Sequence, residues 1–184
     1  NLFQKLCDRI RRAARVAEGR KPSPSAAVVD SQSVSTARQG GPGRGPDPNK
    51  QVKGRTRHVI TDTLGFLLGV MVGPASDSDG QRLPDLLNRL LGKVPRLKVI
   101  FADGGYKGVP GSLMWRCFHW VLSVVEQEGS QRGFEPLPKR WVVERTFGWF
   151  GAYRRLCQDY EYHPETSESM IRLGMSRLML RRIT

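Results

Sequence analysis

The sequence predicts an α/β domain built on a mixed β-sheet with helices packed against it. Three observations lead there. Three β-rich runs come early and in succession, as in a meander. After them, strands alternate with helical stretches, giving the order β-ββ-α-β-α-β-α-α. And 184 residues at 39% hydrophobic content hold enough apolar material for one core, which excludes wholesale disorder.

The elements follow in order. Residues 2–17 read as a basic amphipathic helix: Leu2, Leu6, Ile10 and Ala14 recur at helical spacing, with Arg9, Arg11, Arg12 and Arg15 elsewhere on the wheel. Residues 1–25 are expected to form a segment of their own ahead of a domain over 26–184. AAVVDSQSV (26–34) is a Val-rich strand bounded by a Pro/Ser cluster. RQGGPGRGPDPNK (38–50) is rich in Gly and Pro, cannot form a packed element, and is expected to be a mobile loop. Residues 54–75 read as a hairpin turning at Asp62-Thr63-Leu64-Gly65.

Asp79 to Leu91 is an amphipathic helix with Leu83, Leu86, Leu87, Leu90 and Leu91 on one side, capped by Ser78 or Asp79. LKVIFAD (97–103) is a continuous apolar run that ends in an acid, as a central strand would. GGYKG then breaks the chain. A helix over 110–119, a strand over 121–125 and an irregular connection over 126–138 follow. Two helices, 139–157 and 165–182, close the chain.

Charge points to the partner. Lys and Arg number 30 against 17 acids, a net charge of +13, and 22 of the 30 cations are Arg. Such an excess favours a polyanion, nucleic acid first, and Arg forks suit phosphate oxygens. Cys7, Cys117 and Cys157 are too few and too scattered for a disulfide framework, and no CxxC pair offers a zinc site. A reduced, cytoplasmic setting is expected. The longest apolar stretch, Leu64 to Ala75, is too short to span a bilayer, and residues 1–21 lack a signal-peptide layout. The chain starts with Asn rather than Met, which reads as a front-trimmed chain.

Three carboxylates resist a surface explanation. Asp30 ends AAVV inside a predicted strand, on the same face as Val28. Asp103 ends VIFA at the C-terminal edge of a core strand. Glu144 sits in WVVERTFGWF, a helix apolar nearly all round. Burying an ionised carboxylate costs several kcal/mol unless it is compensated. Mg²⁺ is a natural shared compensator, because it is hard and is usually held by a few carboxylates plus water or phosphate oxygens. Around Glu144 the helical wheel places Arg140, Gly148, Gly151 and Arg155 on one stripe. The glycines there fit either an empty track for a phosphate backbone or close helix–sheet packing. Asp62 and Asp79 read as turn and cap residues, His58 as a sheet histidine that could also touch substrate near the site, and Trp141 and Trp149 as core residues that could also stack on an extruded base.

These residues carry a resemblance. DSQSV, KGRTRHVITDTLGFLLGV, FADGGYKG, RWVVERTFGWF-x₃-RRL-x₂-DYE and PETSESMIRLGMSRLMLRR resemble bacterial insertion-sequence transposases of the IS-five type (IS-four superfamily), within the wider DDE group. The likeness runs from about Gly19 to Arg182. It implies an RNase H-like fold with a mixed five-stranded sheet and flanking helices. It also implies a catalytic, metal-holding trio on the first strand, the fourth strand and a late helix, here Asp30, Asp103 and Glu144. The implied activity is cleavage of transposon-end phosphodiesters and transfer of the 3′-hydroxyl into target DNA. Mg²⁺ would serve it, with Mn²⁺ as substitute, as two ions bridged by Asp30.

DNA would be positioned by Lys53, Arg55, Arg57, Arg140, Arg145, Arg154 and Arg155, mostly through phosphates. A homodimer or larger assembly, acting at the bacterial nucleoid, goes with the resemblance. The family signature Tyr-x₂-Arg-x₃-Glu-x₆-Lys is met at Arg140 and Glu144, but Leu137 and Gly151 stand at the Tyr and Lys positions. Arg154 or Arg155 would then supply the missing cation. Relatives carry a larger N-terminal region for end recognition, so a DNA-binding remnant or repressor without catalysis is the alternative expectation.

Overall fold

A single strand organises the sheet. In the computed structural model, which describes residues 2–38, 40–47, 49–125 and 140–183 (for Arg140 the backbone alone), β1 spans Ala26–Ser35. The remaining strands are β2 (Gly45–Asp47), β3 (Val52–Asp62), β4 (Leu67–Pro74), β5 (Val99–Ala102) and β6 (Val121–Val124). The helices are α1 (Leu2–Ala17), α2 (Asp79–Asn88), α3 (Gly111–Phe118), α4 (Arg140–Gly151) and α5 (Pro164–Leu180). β3 runs antiparallel along one side of β1, from Ala27 opposite Asp62 to Ser35 opposite Gly54. β5 runs parallel along the other side, but only from Ala26 opposite Val99 to Val28 opposite Phe101. β6 continues parallel to β5, and β4 returns antiparallel to β3. The order β4-β3-β1-β5-β6 is the RNase H-like mixed sheet that the sequence predicts.

One strand was not expected. Gly45–Asp47 pairs with Val52–Gly54 on the β4 side of β3, so part of the predicted loop over 38–50 is sheet. Asp47 accounts for it. Its carboxylate accepts from Ser33 Oγ at 2.7 Å and from the amides of Asn49 and Lys50 at 3.1 Å. These bonds close a turn and fasten it to β1, and the Ser33 bond is the main reason the Asp47 carboxyl sits below its usual range.

Strand alternation supplies two buried faces. Ala27, Val29, Ile60 and Met71 pack against Leu83, Leu86 and Leu87 of α2 and Met114 and Phe118 of α3. Val59, Val70 and Val72 pack against Ala14 of α1, Phe150 of α4 and Ile171, Met175 and Met179 of α5. Burying each such side chain contributes about 1.5–3 kcal/mol. Ser78 caps α2, its hydroxyl accepting from the Gln81 amide at 3.4 Å.

Two helices differ from expectation. α4 stops at Gly151 instead of running to 157, and 152–157 form turns that bring Leu156 into the core beside Ile171. Arg155 is therefore off the Glu144 stripe. The helix start at Lys139 and the connection 126–138 lie outside the described residues. In α1 the buried residues are Cys7, Arg11, Ala14 and Arg15, while Leu2 and Leu6 are exposed. The predicted apolar stripe thus does not face inward as a whole. An ion pair sets the roll of α1 instead: Arg15 Nη1 meets the fully buried Asp62 carboxylate. Asp62 Oδ1 also accepts from the amides of Leu64 at 2.8 Å and Phe66 at 2.9 Å, so the hairpin turn and α1 share one anchor.

Removing one partner of a buried pair leaves the other charge uncompensated. Arg15→Met should therefore lower stability by about 3–5 kcal/mol. Urea unfolding monitored by circular dichroism would read this as a lower midpoint at an unchanged slope. A loss below about 1 kcal/mol would show that the pair is no more than a surface-like bridge.

Candidate active site

The parallel pairing of β1 with β5 ends early, and that builds the site. Val28 lies opposite Phe101 in the last shared pair. Two residues further on, β1 reaches Asp30 and the segment leaving β5 reaches Asp103. Past that point β1 runs on, paired among the described residues only with β3, so there its β5 side is open from Asp30 to Ser33. Asp30 Oδ1 accepts from the Ser31 amide at 2.7 Å. Asp103 caps the short 3₁₀ turn Gly104–Tyr106, its Oδ1 accepting from the Gly105 amide at 3.0 Å. These local bonds orient both carboxylates.

Glu144 arrives from α4, which lies on the Val28 side of the sheet through Val142 and Val143. Its depth is set by the hairpin turn. Arg145 Nη2 donates to Leu64 O at 2.9 Å, and Thr146 Oγ1 donates to Gly65 O at 3.0 Å. Gly65 has φ +82°, and a Cβ there would lie 3.0 Å from Thr146 Oγ1 and 3.1 Å from the Trp149 ring. Glycine is thus needed twice, for the turn and for the close approach of α4. Asp30, Asp103 and Glu144 then line a single open groove of about 320 Å³, together with Ser31, Gln32, Ser33, Lys50, Asp79 and Phe147.

Asp79, read from sequence as a cap, is thereby a groove residue. Its Oδ1 lies 3.5 Å from Nδ1 of His58, which is buried in β3. Burial holds the His58 imidazole below its ordinary range, with Asp79 and then Asp77 opposing. Tyr106 is buried next to the acids. Its hydroxyl is pushed well above the ordinary tyrosine range, first by burial and then by Asp79, Asp30 and Asp103. An acid at a helix start looks alike in sequence whether it caps or lines a site. The hairpin that folds β3 back toward α2 is what brings Asp79 in.

The donors suit a hard divalent cation. All are carboxylate oxygens, and a cradle lies between two of them. A Cβ on Gly105 would stand 3.1 Å from Asp103 Oδ1 and 3.4 Å from Asp79 Oδ2. Among the described residues no three His, Cys, Asp or Glu stand close enough together to hold a metal ion by themselves. Mg²⁺ does not require such a set, since it keeps several waters and takes phosphate oxygens from substrate.

The predicted DNA contacts divide. Lys53 and Arg154 are exposed. Arg155 is exposed but paired with Glu161 at 2.9 Å. The Arg140 side chain lies outside the described residues. Arg55 and Arg57 correct the expectation of a clamp, because both are buried. All five N–H groups of Arg55 are used, on Gly43 O, Pro42 O, Glu161 O, Tyr162 O and Asp159 Oδ2. Arg57 donates to Leu156 O at 2.6 Å. Arg145 is also engaged internally, its guanidinium 4.6 Å from the Trp141 ring and 4.9 Å from the Trp149 ring. Acceptors from distant segments draw these arginines inward, and no local pattern announces them.

No helix among the described residues is long and apolar enough to cross a membrane. Residues 21–178 match the model of the family described as "Transposase DDE domain". A protein of Burkholderia cepacia named as a transposase for insertion sequence element IS402 is 28% identical over 149 residues, covering 77% of this chain and 70% of that protein.

The two kinds of arginine should separate in experiment. Arg55→Ala should cost about 3–5 kcal/mol of stability, because it leaves buried acceptors unmet. Lys53→Ala and Arg154→Ala should leave stability within about 0.5 kcal/mol. Each should reduce the salt slope of DNA binding by about one, measured by fluorescence anisotropy across a salt series. A stable Arg55→Ala protein with a reduced slope would return Arg55 to the DNA surface.

Proposed function

The chain belongs to the transposase DDE domain family, and on that premise we propose that the groove cuts and joins DNA strands, with Asp30, Asp103 and Glu144 as its catalytic carboxylates. The observation that carries this reading is that the three line one groove, Asp30 and Asp103 through the early end of β5 and Glu144 through the docking of α4 on the hairpin turn. Carboxylates so grouped favour divalent cations, Mg²⁺ or Mn²⁺, and the proposed site takes two of them. When bound, such ions supply charge that activates the attacking oxygen and stabilises the leaving one.

The chain's own groups do the rest. The Ser31 and Gly105 amides fix Asp30 and Asp103, so the metal-facing oxygens are held before substrate arrives. Lys50 lines the same groove and offers a cation to a phosphate. Beside Glu144, a Cβ added at Gly148 or Gly151 would meet nothing within 4 Å among the described residues. That disfavours close helix–sheet packing as the reason for the glycines. It supports the alternative, a bare track along which a phosphate backbone can approach.

The reaction is in-line displacement at phosphorus. In the first step a water oxygen bonds to phosphorus and the 3′-oxygen leaves, giving a 3′-hydroxyl and a 5′-phosphate. In the second, that 3′-hydroxyl oxygen attacks a target phosphodiester and displaces its 3′-oxygen. Bringing two ends to one target calls for at least two copies of the chain. Lys53 and Arg154 supply sequence-independent phosphate contacts at the periphery.

Nicking of supercoiled plasmid in Mg²⁺ or Mn²⁺ tests this directly. Glu144→Gln and Asp103→Asn should each reduce nicking by on the order of 10²-fold or more, with DNA binding retained, and chelation should abolish it. Joining of a 3′-hydroxyl oligonucleotide to plasmid separates transfer from simple cleavage. DNA binding without any metal-dependent nicking would favour a non-catalytic DNA-binding protein.

A further inference from the structure

We propose that Asp79 is a fourth working carboxylate of this groove, holding a divalent cation jointly with Asp103 across Gly105, and that His58 is the residue that orients it. The proposal rests on the metal-dependent reading of the groove given above, and adds to it a residue and a cation position. The two oxygens of Asp79 face different partners. Oδ1 lies 3.5 Å from His58 Nδ1, while Oδ2 lies on the Gly105 side, toward Asp103. The same Gly105 position sees Asp103 Oδ1 at 3.1 Å and Asp79 Oδ2 at 3.4 Å from the point a Cβ would occupy. A side chain here would fill the space between the two carboxylates. Glycine leaves it open, and the Gly105 amide holds Asp103 Oδ1 in place at 3.0 Å.

Two buried polar side chains point to a ligand at this spot. Tyr106 is 1% exposed and its hydroxyl has no hydrogen-bond partner among the described residues, although it stands in the field of Asp79, Asp30 and Asp103. His58 is also 1% exposed, and neither ring nitrogen makes a hydrogen bond there. A buried hydroxyl without a partner costs about 1–3 kcal/mol. Tyr106 stands behind the groove lining, and a water brought in with a cation held by these acids gives its hydroxyl the partner that the described residues do not. His58 backs Asp79 as a neighbouring ring backs a ligating carboxylate, by limiting how the carboxylate can rotate.

Mn²⁺ titration of the intact chain, followed by the electron paramagnetic resonance of free Mn²⁺, reads this without any activity. Asp79→Asn and Gly105→Ala should each weaken Mn²⁺ binding by about 10-fold or more, as Asp103→Asn should. Ser78→Ala removes the cap of the same helix and should keep the wild-type affinity. Thermal unfolding in chelator establishes that each variant is folded. If Asp79→Asn is too unstable to titrate, Gly105→Ala decides, since it fills the cradle and keeps every carboxylate. Wild-type affinity in Asp79→Asn, or in Gly105→Ala where that variant decides, overturns the proposal if Asp103→Asn is weakened. Wild-type affinity in Asp103→Asn and Glu144→Gln as well overturns the metal reading of the groove itself.

Discussion

The parallel register between β1 and β5 is the constraint on which the site depends. Parallel pairing holds residues at matching heights, so Val28 beside Phe101 commits Asp30 and Asp103 to stand side by side two residues later. Two acids so placed would repel in a closed interior. Here β5 ends at Ala102 while β1 continues, so the acids fall where the sheet opens to solvent. α4 has to reach the same spot without closing it. The hairpin turn achieves this by receiving Arg145 and Thr146, leaving Glu144 on the outward side of the helix.

That frame has to be stiff, and the buried arginines make it so. Arg55 ties β3 to Pro42, Gly43, Glu161 and Tyr162 through backbone carbonyls. Arg172 and Arg89 both meet the Glu168 carboxylate, whose other oxygen accepts from the Val72 amide. Arg15 ties α1 to the hairpin turn. Each guanidinium is expensive to bury and is retained because it reaches acceptors from several segments at once. The net charge of +13 therefore overstates the cation density offered to a polyanion, since Arg11, Arg15, Arg55, Arg57 and Arg172 are buried. What remains outside, including Lys53 and Arg154, is what a phosphate backbone can use.

This division explains what was legible in the sequence. Strands, helices and the turn at 62–65 were readable because period and breakers are local signals. Asp30, Asp103 and Glu144 stood out because each interrupts an apolar run, and the fold does bring them to one groove. What could not be read depends on distant partners. Asp79 resembles any helix-start acid until β3 brings His58 to it. Arg55 and Arg57 alternate along a strand as surface cations would, and only the 156–162 segment draws them in. The roll of α1 follows Asp62, forty-odd residues away, rather than its own apolar stripe. Gly45–Asp47 joins the sheet because Asp47 finds Ser33 across it.

α4 shows how far function shapes local sequence. Inside a helix of this length Gly148 is about 1 kcal/mol worse than alanine, while Gly151 is its last residue. Close packing would be the ordinary compensation, yet among the described residues neither Gly148 nor Gly151 has a neighbour that a Cβ would touch. By contrast, Gly65 is pressed against Thr146 and Trp149, so the same chain does use glycine for packing where helix and turn meet. On α4 the glycines lie on the exposed side, one and two turns beyond Glu144, and the opposite side is held by Val142, Val143 and Thr146. One side of the helix thus fixes its position and the other is kept bare next to the acid. In the proposed role, the helix gives up intrinsic stability so that a phosphate backbone can come close to Glu144.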